Sequence, residues 1–137
     1  MIGIDTNILV RYLTRDDEAQ FLLAQQLIRN QISAGERIFI GLLVILETEW
    51  VLRSRHKAPK QQIARIFNDL LETRESVFED EETLEEALHF WKDSNADFAD
   101  CMIVAKTRRM GCSELVTFDE RAASLPGTLL LTSKHQQ

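Results

Sequence analysis

The sequence predicts an α/β protein with a parallel sheet covered by helices on both faces. Three observations carry this. Short apolar, β-prone runs alternate with longer helical patterns along all 137 residues. No repeat, linker or low-complexity segment interrupts the alternation, and strict alternation of this kind is the mark of strands joined by crossover helices. The first apolar run, Met1-Ile2-Gly3-Ile4, ends in Asp5, and a helical apolar pattern (Ile8, Leu9, Tyr12, Leu13) starts directly behind it. In α/β sheets ligands sit outside the carboxyl ends of the strands, so Asp5 stands where such a fold displays a functional group. The plainer reading is an N-cap, a position that favours Asp.

Taken in order, residues 1–5 read as the first strand and 6–13 as a short helix. Asp16 or Asp17 caps a second helix, patterned by Ala19, Leu22, Leu23, Leu27 and Ile28 and ending near Gly35. Arg37-Ile38-Phe39-Ile40 is the second strand, followed by a strongly apolar helix over 42–55 that ends in a basic run. Pro59 opens a helix over 60–73, with Ile63, Ile66, Phe67, Leu70 and Leu71 on one face. These two helices read as an antiparallel hairpin. Ser76–Glu79 is the third strand. Residues 81–91 form a helix with acids in its first turn, where the helix dipole favours them. A further helix spans 98–110 and stops at Gly111, and Glu114–Thr117 is the fourth strand. Asp119 starts a short helix, residues 127–132 form the last strand, and the tail 133–137 is expected to be loose.

Hydrophobic residues make up 45% and charged residues 28%, ordinary for one globular domain of this length. No apolar run reaches membrane-spanning length, and Asp5 and Asn7 interrupt any leader-like start. Cys101 and Cys112 lack metal-type spacing and read as reduced thiols of a cytoplasmic protein. The net charge of −6 argues against nucleic-acid binding through overall charge. It leaves room for a nucleic-acid enzyme whose carboxylates hold cations.

Four groups of carboxylates organise the functional reading. Asp119 follows Leu115-Val116-Thr117-Phe118, so Asp5 and Asp119 are placed at the same edge of a parallel sheet. Asp119 also reads as a cap. On the helix wheel Leu43 and Val51 lie about 40° to either side of Glu47 and Val44 and Trp50 about 60° away, which puts Glu47 in the middle of the apolar face. A carboxylate there has to be paired, coordinated or protonated; the plain alternative is a structural salt bridge. Glu49 is expected on the wetter face, pairing with Arg53 at i,i+4. Asp97 and Asp100 stand three apart at a helix start, Asp97 as N-cap with its carboxylate folded back onto an amide and Asp100 one turn in, flanked by Ile103 and Val104. Four acids on one sheet edge repel unless cations neutralise them. Mg²⁺ or Mn²⁺ suits oxygen donors best.

Four blocks, Ile4-Asp5-Thr6-Asn7-Ile8-Leu9-Val10, Leu46-Glu47-Thr48-Glu49-Trp50-Val51-Leu52-Arg53, Ala96-Asp97-Phe98-Ala99-Asp100 and Leu115-Val116-Thr117-Phe118-Asp119, resemble PIN-domain proteins and in particular the VapC-type toxins of bacterial toxin–antitoxin pairs. The resemblance spans the whole chain in motif order. It implies a single PIN domain over residues 1–137, with a three-layer α/β/α fold and strand order 3-2-1-4-5. It implies a Mg²⁺- or Mn²⁺-dependent endoribonuclease, usually a homodimer, silenced by a cognate antitoxin. By position, Asp5, Glu47 and Asp100 match the family's core metal-binding acids and Asp119 its more variable fourth. Asn7 and Thr117 match supporting polar residues. The family pattern does not decide whether Asp97 is also a ligand, directly or through metal-bound water.

The expected chemistry is hydrolysis of an RNA phosphodiester at a carboxylate-held metal. Arg11, Arg15, Arg53, Arg55, Lys57, Lys106, Arg108 and Arg109 are candidates to hold the RNA backbone, each against the plainer reading of a solvated surface charge. Two rivals stand beside this. A haloacid-dehalogenase-like phosphatase also starts with a strand and an Asp nucleophile, but needs Asp where this chain has Asn7. An inactive PIN-like module would bind RNA or a partner without cleaving.

Overall fold

The computed structural model describes residues 1–133; the expected loose tail falls, from residue 134 on, outside the described residues. The chain forms two compact units, Met1–Asp80 and Glu81–Gln137.

The first unit holds β1 (Ile2–Gly3), α1 (Thr6–Thr14), α2 (Glu18–Ser33), β2 (Ile38–Ile40), α3 (Leu42–Ser54), α4 (Lys60–Glu72) and β3 (Ser76–Phe78). Its three strands are parallel in the order β1-β2-β3, with Ile2 beside Ile38, and Ile38 and Ile40 beside Ser76 and Phe78. A pair of helices fills each crossover, and α1 packs on α2 while α3 packs on α4. The hairpin expected between the second and third strands is therefore present. Ile4, Leu9, Val10, Phe21, Ile40, Ile45, Leu52, Ile63 and Phe67 are buried. The ends of the helices obey local chemistry. Asp17, not Asp16, caps α2 by accepting from the Gln20 amide at 3.0 Å. Gly35 follows α2 at φ +75°, a conformation that side chains with a Cβ resist.

The strand β1 is shorter than the run of residues 1–5 suggests. The Ile4 amide still reaches the Phe39 carbonyl at 3.2 Å, but Asp5 has already left the ladder to become the N-cap of α1. Glycine at 41 precedes α3, where a Cβ would meet Glu79 Oε1 at 3.4 Å. That carboxylate oxygen accepts from the Leu42 amide at 2.9 Å. Glu79 thus caps from β3's end a helix start that has no side-chain cap of its own.

The second unit holds α5 (Glu81–Lys92), α6 (Phe98–Arg109), β4 (Leu115–Thr117), a short 3₁₀ helix (Ala122–Ser124) and β5 (Thr128–Leu130). The strands β4 and β5 are parallel, Val116 beside Leu129. The helices α5 and α6 pack on each other, and Trp91 meets Phe98 edge-on at 4.9 Å between ring centroids. Leu84, Ala87, Cys101, Met102 and Val104 are buried. Of the expected order 3-2-1-4-5, the portions 3-2-1 and 4-5 each appear as parallel ladders in their own unit.

Candidate active site

In the first unit, Asp5 and Glu47 line one open cavity of about 390 Å³ together with Thr6, Asn7, Trp50 and Arg55. The end of β1 and the start of α1 supply Asp5, Thr6 and Asn7, and α3 supplies Glu47, Trp50 and, at its C-cap, Arg55. The buried Thr6 donates its hydroxyl to Glu47 Oε1 at 2.9 Å. Asp5 Oδ1 accepts from the Ile8 amide at 3.0 Å. The capping reading of Asp5 and its place at a site are therefore compatible, because one carboxylate oxygen does the capping. Both acids are oriented by hydrogen bonds.

On α3 the packed side differs from the one the helix wheel predicts. Glu47 is exposed, and Glu49 is the buried acid at 3% exposure. The helix buries the stripe Ile45, Thr48, Glu49 and Leu52 and leaves Leu43 and Trp50 at 75% and 52% exposure. Apolar residues surround α3 almost completely, so the centre of its apolar face does not define the side that packs. The expected Glu49–Arg53 pair does form, with Arg53 Nε donating to Glu49 at 2.8 Å, but on the packed side.

Thr6 was not singled out by sequence reasoning, although a Thr directly after a strand-end Asp is a visible signal. Asn7 is exposed and lines the cavity. The supporting hydrogen bond to Glu47 comes from Thr6 instead.

In the second unit, Asp100 is half-buried one turn inside α6 and Asp97 is exposed at its N-cap. The expected capping bond is absent: the Asp97 side chain makes no hydrogen bond to the first amides of α6. Burial, then the charges of Asp119 and Asp97, push the Asp100 carboxyl up from its usual range, against a smaller opposite pull from Arg121. Asp119 is fixed by its loop. Its Oδ1 accepts from the amides of Arg121 and Ala122 at 2.8 and 3.1 Å, and Thr117 Oγ1 accepts from the Asp119 amide at 3.0 Å. Thr117 therefore does shape the turn that holds Asp119.

The basic candidates differ. Arg11 donates to Asp16 and Gln20, Arg15 to Glu18, and Arg53 to Glu49. Arg108 and Arg109 pair with Glu86, and Arg109 also with Glu82. Lys106 and Lys57 are exposed. Arg55 is exposed, borders the acidic cavity and has no ion pair among the described residues. Among the described residues, no group of three His, Cys, Asp or Glu side chains stands as a preformed metal cage. No helix among them is long and apolar enough to cross a membrane.

Parallel strands joined by helix pairs, with acids just beyond the carboxyl ends of β1 and β4, define an α/β protein with carboxylates at its strand ends. The PIN domain family model matches residues 2–127, and the chain belongs to that family. It is also similar to a VapC ribonuclease of Aquifex aeolicus (strain VF5), 25% identical over 122 residues that cover 89% of this chain and 90% of that protein.

Proposed function

We propose that this protein is a metal-dependent endoribonuclease, the toxin of a type II toxin–antitoxin pair, acting as one PIN domain in the cytoplasm. The observation that carries the reading is the pair Asp5 and Glu47, each oriented by a hydrogen bond, beside Arg55, which has no ion pair among the described residues, in a chain of the PIN family. Likeness to a VapC ribonuclease along nearly the whole of both chains supports the substrate class. Nothing favours the phosphatase rival, whose second Asp is Asn7 here.

The donor set fits Mg²⁺ or Mn²⁺. Every candidate ligand is a carboxylate oxygen, the donor that hard divalent cations prefer. Burial, and after it the like charges of Asp119 and Asp97, raise the Asp100 carboxyl against the pull of Arg121, and a cation would offset all three. In this reading Asp5 and Glu47 of the first unit are metal ligands, and so are Asp100 and Asp119 of the second, with Asp97 in a marginal role. When bound, the ion supplies Lewis-acid polarisation of the phosphodiester and an activated water.

The chain's own groups do the positioning. Thr6 holds the Glu47 carboxylate in one orientation, and the Ile8 amide does the same for Asp5. Arg55 offers a guanidinium for a non-bridging phosphate oxygen. Amides 121 and 122 and Thr117 fix Asp119. No side chain attacks the RNA, so no covalent enzyme intermediate forms.

The partners in this reading are RNA, a cognate antitoxin and a second copy of the chain. Purified protein incubated with RNA is expected to cleave with Mg²⁺ or Mn²⁺ and to stop when a chelator is added. Full cleavage in excess chelator would overturn the metal mechanism. A strict monomer by light scattering at high concentration would overturn the homodimer.

A further inference from the structure

We propose that Trp50 and Arg55 form a nucleotide subsite beside Glu47, in which an unpaired base of the RNA strand stacks on the Trp50 indole while Arg55 holds an adjoining phosphate. This rests on the ribonuclease reading and adds to it the side chains that hold the strand beside Glu47.

Spacing brings the parts together. Residues 47, 50, 51 and 55 lie at helical intervals of three and four on one side of α3 and its cap. Trp50 is displaced from Glu47 by roughly 4.5 Å of helix rise, and both border the cavity that Asp5 and Arg55 also line. The indole is 52% exposed and has no ring or cation partner among the described residues. Leaving so large an apolar ring in water forfeits burial that the core would otherwise gain. The other tryptophan shows the usual outcome: Trp91 is 4% exposed and packs on Phe98.

The surroundings select the occupant. An open aromatic face, a guanidinium with no ion pair among the described residues and the exposed Asn7 amide match a base joined to phosphate, and aromatic stacking with cationic backbone contacts is how proteins hold unpaired strands. A protein helix would prefer an apolar groove. The first unit has a more apolar groove between α1 and α2, lined by Ile8, Leu23, Ala24 and Leu27, which adjoins the Trp50 cavity at Asp5 and Asn7. Duplex RNA cannot present a base face to Trp50, because its bases are stacked inside the helix.

The test uses the full chain carrying Asp100→Asn, which leaves the Trp50 cavity intact, in Mg²⁺ buffer. A short oligoadenylate is titrated while tryptophan fluorescence is followed. The single strand is expected to quench emission, and its duplex with oligouridylate is expected not to. Trp50→Leu in the same background should remove the quenching and weaken binding roughly tenfold or more. Trp50→Phe should recover most of the affinity. Arg55→Gln should reduce the salt dependence of binding by about one phosphate contact. Unchanged affinity in Trp50→Leu would overturn the subsite. So would unchanged affinity with a shift from dimer to monomer in light scattering, which would give this face to a second copy. Cleavage is measured separately on the chain with native Asp100. Stacking without any RNA cleavage would sink the ribonuclease reading alone, and cleavage without stacking would sink the subsite alone.

Discussion

In the first unit Asp5 and Glu47 each accept a hydrogen bond, from the Ile8 amide and the Thr6 hydroxyl, and sit beside Arg55, which has no ion pair among the described residues. In the second, Asp100 has two carboxylates for electrostatic neighbours and is partly desolvated. The contrast teaches that one fold prepares carboxylates in two ways. Hydrogen-bond donors fix the direction of a charge at little cost to its ionisation. Crowding and burial leave a charge short of stabilisation, which raises its affinity for a proton or a cation. In the reading proposed above, the ligands of the first unit are held by hydrogen bonds, and Asp100 of the second is short of stabilisation that a cation would supply.

The largest effect expected is on cleavage. Asp5→Asn and Asp100→Asn should each lower it by about 100-fold or more, the scale of losing a preorganised electrostatic partner, while circular dichroism shows the fold retained. Thr6→Val should lower metal affinity or activity by about 10- to 100-fold, as loss of a ligand's supporting hydrogen bond does. A Thr6→Val protein with native activity would mean that Glu47 needs no such support and would break the contrast between the units.

Stability offers a sharper probe of what fixes a charge in the first unit. Glu49 is buried and Arg53, with which it pairs, is 54% exposed at its side chain. Arg53→Ala strands a buried carboxylate and should cost about 3 kcal/mol. Glu49→Gln leaves a half-exposed guanidinium that water can solvate, so it should cost clearly less. Urea midpoints compare the two, and equal losses would show that Glu49 is already served by solvent.

The second unit should respond to pH in the opposite sense to a salt-bridged acid. Asp100 is raised in the folded state, so the fold binds its proton more tightly than the unfolded chain does. The resulting penalty is absent below the unfolded carboxyl range and complete above the raised folded value. Metal-free protein at neutral pH should therefore gain stability from Asp100→Asn. That advantage should shrink as pH falls through the raised range. A constant advantage at every pH would assign the gain to packing instead of charge.

Much of this arrangement could be read from sequence. Helix starts and stops came within a residue or two, because Asp17, Pro59 and Gly111 are strong local signals. The acids were visible as strand-end or helix-start residues, although nothing in the sequence alone measures their distances. The errors fell where local rules compete with tertiary packing. On α3, apolar residues on nearly every side gave the wheel no unique buried direction, and Glu47 and Glu49 exchanged their expected environments. The Thr6–Glu47 bond joins residues 41 apart, a separation at which spacing carries no information.

The smallest effect concerns the two caps of the second unit. Asp97 occupies the N-cap of α6 without a side-chain hydrogen bond, whereas Asp119 accepts from two amides. Both also bear on Asp100 as like charges, so replacing either in the native protein would mix lost capping with relieved repulsion. The comparison therefore belongs in the Asp100→Asn background, where that repulsion is gone. There Asp97→Ala removes no capping bond and should change stability by less than about 0.5 kcal/mol, as ordinary surface substitutions do. Asp119→Ala leaves the amides of Arg121 and Ala122 without their acceptor and should cost about 0.5–2 kcal/mol. Denaturation midpoints in the reverse order would mean that the Asp97 carboxylate caps α6 in solution, which would take it away from Asp100 and remove one of the two charges that crowd the second unit.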